Sequence, residues 1–164
     1  LRPRAANPPP APPPGLLAQR GPISHVHILP PSIVERSRAG AGGKAGRAEN
    51  VPALIDPGAS ISGVEEELLE SLGYPPMGLA PINTPSGEAV RKVYMVRLVI
   101  PSMSDPRFPP NVPRIVKDDV PVISIAKLGS PYPKYQYRAL IGRDVLADIL
   151  MIYNASQALV TLAY

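Results

Sequence analysis

The chain has 164 residues with 24 Pro, no Cys and no Trp, which suits one domain with a tail. Without Cys there can be no disulfide framework, thiolate nucleophile or Cys-ligated zinc, and so many prolines speak against a helical bundle. The formal charge of +4 is unevenly spread. Residues 1–50 carry seven Lys/Arg against two Asp/Glu, while residues 51–164 carry ten against eleven. The basic part lacks aromatics interleaved for base stacking, so it reads as a solubilising tail and no nucleic acid partner is expected. No apolar run reaches the length of a membrane span, and the absence of Cys fits a reducing, cytoplasmic setting.

In chain order, residues 1–20 form a Pro-rich tail or linker. Pro8-Pro9-Pro10 and Pro12-Pro13-Pro14 favour polyproline II, as a stiff spacer or a docking segment. A folded domain is expected over 21–164. Ser24 to Leu29 alternates polar and apolar residues as a half-buried strand does, and Pro30-Pro31 ends it. Residues 37–50, rich in Gly, Ala, Arg and Lys, read as a loop. Val51 to Asp56 is an apolar strand running into a Pro57-Gly58 turn. Val64, Leu68, Leu69 and Leu72 fall at helical spacing, with Glu65, Glu66 and Glu67 suiting the positive end of a helix dipole. Ser62 or Gly63 is the expected cap and Gly73 the stop. Residues 80–84 and 90–100 form a long hairpin around the turn signal Pro85-Ser86-Gly87. The Pro-rich stretch 101–113 is a surface loop, and Val120 to Ala126 a further strand. Arg138 to Gly142 is a strand and turn, followed by a short helix from Asp144 through Leu150. Met151 to Tyr153 and Ala158 to Leu162 are two final strands joined around Asn154. Many short strands with two short helices indicate a mostly β protein, built as a closed barrel.

Two segments echo each other. Ala53-Leu54-Ile55-Asp56-Pro57-Gly58-Ala59-Ser60 is an apolar strand ending in an acid and a glycine turn. Ala139-Leu140-Ile141-Gly142-Arg143-Asp144 is an apolar strand ending in a glycine turn and a helix. In this order, with a hairpin between them, the segments resemble the retropepsin-like aspartic proteases, in particular their bacterial branch. The resemblance implies an acid-protease barrel with a flap, and Asp56 as the catalytic acid. Asp56 is the one acid in an Asp-x-Gly-Ala setting, so the resemblance also implies a homodimer, with the second Asp56 supplied across a two-fold axis. The substrate would be a peptide or protein, hydrolysed by an activated water without metal or cofactor. Gly58 would let the backbone pass close to Asp56. Ala59 would pack near the axis, and Ser60 would contact substrate backbone or serve structure alone. Thr84, Pro85, Ser86 and Gly87 would form the flap tip. Gly142, Arg143 and Asp144 would support the interface, Arg143 through an ion pair and Asp144 as a helix cap. His25 and His27 share a strand face, but no third metal ligand is evident.

Pro57 departs from the family, which has Thr or Ser there. In the family that residue's hydroxyl and N–H bond across the dimer axis, and proline offers neither donor. Two functions from different classes follow. One is an active endopeptidase. The other is a catalytically silent module that dimerises or binds peptides.

Overall fold

The computed structural model describes residues 15, 17, 21–40, 46–84, 87–101, 115–126 and 137–163. Pro85, Ser86 and most of the Pro-rich tail lie outside the described residues. The strands are β1 (Ile23–Leu29), β2 (Ala48–Ile55), β3 (Gly63–Glu65), β4 (Gly78–Thr84), β5 (Gly87–Ile100), β6 (Ile115–Ile125), β7 (Ala139–Ile141), β8 (Leu150–Asn154) and β9 (Leu159–Ala163). The helices are α1 (Ser32–Gly40), α2 (Glu66–Ser71) and α3 (Arg143–Leu146), with a 3-10 turn at Ala155–Gln157.

Period-two burial builds the barrel wall. Val26 and Ile28 of β1, Val51, Ala53 and Ile55 of β2, and Tyr94, Val96 and Leu98 of β5 point inward and are buried. Full burial of each large aliphatic side chain contributes about 1.5–3 kcal/mol. The sheet runs β1-β2-β7-β3-β6-β5-β4, and β1 also pairs with β5. That pairing closes a six-stranded barrel and leaves β4 attached through β5 alone. The chain is therefore the mostly β, closed barrel that its short apolar runs indicate.

Several local expectations are corrected. Three α-helices appear among the described residues instead of two. The unexpected one, α1, follows Pro30-Pro31 directly. Its Ser32 N–H donates to the Asp118 carboxylate at 3.1 Å, and Glu35 pairs with Arg47 and Arg97 at 3.0 and 3.2 Å. Those supports come from β6 and β5 or from beyond the helix, so local composition does not reveal them. The predicted helix from Val64 divides into strand β3 and helix α2. Parallel pairing of Gly63–Glu65 with Ile123–Ile125 holds the first part extended, and Gly73 at φ +72° ends the second. Neither Ser62 nor Gly63 caps α2; Glu65 stands at that position without a side-chain cap bond. The predicted helix through Leu150 stops at Leu146, and Leu150 opens β8. Strand β6 starts at Ile115 rather than Val120.

Lys92 ties the base of the β4–β5 hairpin to α2. Its ammonium lies 2.6 Å from Glu66 and 3.1 Å from Glu70. The Lys92 and Ser124 hydrogen bonds hold the Glu66 carboxyl below its ordinary value. A depressed folded-state value means the stabilisation is complete above the ordinary carboxylate range and is lost as pH falls through the folded value. Thermal unfolding should therefore show the wild type more stable than Glu66→Gln near neutral pH. The two midpoints should converge well below the ordinary value of 4.5.

Candidate functional site

Asp56 stands at the end of β2, where Pro57 has no N–H to continue the ladder. Strand β2 runs parallel to β7, with Ala53, Leu54 and Ile55 opposite Ala139, Leu140 and Ile141. The Asp56 N–H donates to the Ile141 carbonyl at 2.9 Å, so the pairing of the two echoing segments fixes its backbone. The carboxylate is half-buried. Its Oδ1 accepts the Gly58 N–H at 2.9 Å, and its own carbonyl accepts the Ala59 N–H at 3.1 Å. A Cβ on Gly58 would stand 3.0 Å from that Oδ1, so the tight approach of loop to carboxylate favours glycine.

The turn after β7 interlocks with this loop residue by residue. Gly142 packs on the backbone of Ala59 and Ile61, where a Cβ would meet Ile61 C at 2.8 Å. Arg143 donates through Nη1 to the Pro57 carbonyl at 3.2 Å and, at longer range, to that of Gly58 at 3.5 Å. Its N–H donates to the Ala59 carbonyl at 2.9 Å. Asp144 Oδ2 accepts the Ser62 N–H at 2.9 Å, and its Oδ1 accepts the Ser62 hydroxyl at 2.7 Å and the Val145 N–H at 3.0 Å. Ser62 is fully buried, and its Oγ also accepts the Gly142 N–H at 2.9 Å.

One expected role changes. Asp144 clamps Ser62 across 82 positions of sequence, and Gly142 holds the cap position of α3 without a side-chain cap bond. Arg143 grips backbone carbonyls of its own chain, and no carboxylate among the described residues lies within ion-pair distance of it. Ser62 is the site residue that local reading misses. Its only signal is a hydroxyl in the loop after Asp56, which a helix cap explains equally well.

Pro57, Gly58 and Ser60 are exposed and Ala59 is half-buried. On the hairpin, Thr84 Oγ1 donates to the Gly87 carbonyl at 2.8 Å, and Gly87 has φ +114°. The expected flap-tip residues Pro85 and Ser86 lie outside the described residues. His27 Nδ1 accepts the Asn50 N–H at 3.1 Å. Among the described residues no three His, Cys, Asp or Glu side chains gather to hold a metal, and no helix is long and apolar enough to cross a membrane.

Chemically, the site offers one carboxylate with an N–H on one oxygen, which suits proton transfer to or from a water. Asp144 is committed to structure: both its oxygens accept hydrogen bonds, from Ser62 and Val145. A scan of protein-family models gives no match to the chain, and a search of curated proteins gives none either.

Proposed function

We propose that the chain is a retropepsin-like aspartic endopeptidase domain that works as a homodimer. The observation that carries this reading is the Asp56 loop. An acid follows a barrel strand, lies parallel to a second apolar strand, and takes a glycine N–H on its carboxylate. In a two-fold dimer the twin Asp56 supplies the missing group. Two carboxylates in contact share a proton. The ionised one takes a proton from a bound water, and the water oxygen bonds to the peptide carbonyl carbon. The protonated one donates to the carbonyl oxygen. The C–N bond then breaks as a proton reaches the amine. The β4–β5 hairpin is the proposed flap, with Thr84, Pro85, Ser86 and Gly87 at its tip.

Self-pairing is supported by the C-terminal hairpin. Strands β8 and β9 form a separate two-stranded sheet, which packs Met151 and Leu162 against the barrel core and turns its other face outward. Leu150 and Ile152 are exposed on β8 and Leu159 on β9. Register places these three on one face, and residues 149–164 contain no charge. Two such faces can meet without stranding a charge. Sedimentation velocity over a concentration series should show a dimer, and Ile152→Glu should weaken it by tenfold or more, about 1.4 kcal/mol. A monomer at every concentration overturns the dimer.

Pro57 favours the second reading, a silent module of the same class that dimerises or binds peptide. A peptide-library digest from acid to neutral pH separates the two, using the wild type, Asp56→Asn and Pro57→Thr.

A further inference from the structure

We infer that Arg143 is a positioning residue that sets the Asp56 loop from within its own chain, before any second copy arrives. The inference rests on the Asp56-centred reading above for its meaning in catalysis, and on hydrogen-bond geometry for its existence. Every backbone polar group of residues 57–59 has a partner inside one chain. Pro57 has no N–H. The Gly58 and Ala59 N–H groups turn to Asp56, onto Oδ1 and the carbonyl at 2.9 and 3.1 Å. All three carbonyls turn to Arg143. Its guanidinium takes those of Pro57 and Gly58, and its N–H takes that of Ala59.

This division has a mechanical result. The Gly58 residue is held on both sides, its carbonyl by the guanidinium and its N–H by the carboxylate. Rotation of either peptide plane that carries those groups would break a bond at both ends. Arg143 thus restrains the carboxylate of Asp56 through the loop, without touching it. One guanidinium nitrogen, Nη1, reaches both adjacent carbonyls, at 3.2 and 3.5 Å, and the rigid plane of the group fixes the direction of its donors, whereas an ammonium is a freely rotating point charge. A loop anchored this way does not depend on cross-axis bonds, so Pro57 can occupy a position from which no N–H is asked.

The test uses the whole chain with Arg143→Met, which keeps the apolar stem, and Arg143→Lys, which keeps the charge. Amide exchange with solvent is read by NMR at Gly58, Ala59 and the barrel residue Val122. Arg143→Met should speed exchange at Gly58 and Ala59 roughly tenfold or more and leave Val122 unchanged. Arg143→Lys should recover part of the protection. Where cleavage is measurable, kcat should fall with KM nearly constant. Unchanged exchange at Gly58 and Ala59 overturns the inference. So does an equal acceleration at Val122, which would mark a general structural role. A wild type that does not cleave peptides defeats the protease reading and leaves the exchange measurement to decide this one.

Discussion

Asp56→Asn is expected to end peptide cleavage while leaving the barrel folded. Asn has the same shape, and its Oδ1 can still accept the Gly58 N–H that lies 2.9 Å from the carboxylate. What it loses is the capacity to take a proton from water and return it. Acid–base groups of this kind contribute about 10²–10⁴-fold each, and in the proposed symmetric dimer one substitution would remove both members. Circular dichroism and sedimentation should match the wild type, and the digest should show no products. Pro57→Thr should act in the opposite direction. It supplies a hydroxyl and an N–H that, in the proposed dimer, would bond across the axis, each worth about 1–3 kcal/mol where its partner would otherwise be unpaired. More dimer and faster cleavage are the expected results. Cleavage by the Thr variant alone would make the natural chain a silent relative. Dimers of both that cut nothing would leave the peptide-binding module.

Gly142→Ala should cost about 3 kcal/mol, the upper part of the range for overpacking a tight contact. The backbone at Gly142 is extended, φ −93° and ψ −174°, so alanine meets no conformational penalty there. The cost is steric. The new methyl would stand 2.8 Å from Ile61 C, 2.9 Å from Ile61 O and 3.1 Å from Ala59 O. All three are backbone atoms, with no rotamer to swing aside. Relief would require moving the loop away from the turn, which stretches the Gly142 N–H bond to Ser62 Oγ. Calorimetry should register a fall in Tm of roughly 10 °C. A midpoint unchanged from the wild type would mean that the two segments are not interlocked.

The parts of the fold written in short-range pattern were legible. Alternation marked β1, a turn signal marked the β4–β5 hairpin, and apolar runs marked the two last strands joined around Asn154. An apolar run ending in an acid and a glycine marked the Asp56 turn. The rest depends on partners distant in sequence. Helix α1 leans on Asp118 and Arg97. Val64 belongs to a helical apolar stripe by spacing, yet it is extended because β6 and β7 flank it. Strand β6 hides its first half behind Lys117, Asp118 and Asp119, three successive charges that break the apolar alternation. The pairing of Ser62 with Asp144 is invisible locally, since each residue is also a respectable helix cap.

The parallel pairing of β2 with β7 has a bearing on how the molecule comes into being. Residue 53 must find residue 139, and the acceptor for the Asp56 N–H arrives only with residue 141. Closing so long a loop is entropically costly and comes late in folding. On the ribosome, a nascent chain that stops short of Ile141 lacks the scaffold for its acidic turn, however well its earlier strands have paired. Whatever Asp56 does, it begins to do only once the chain has been made through residue 141.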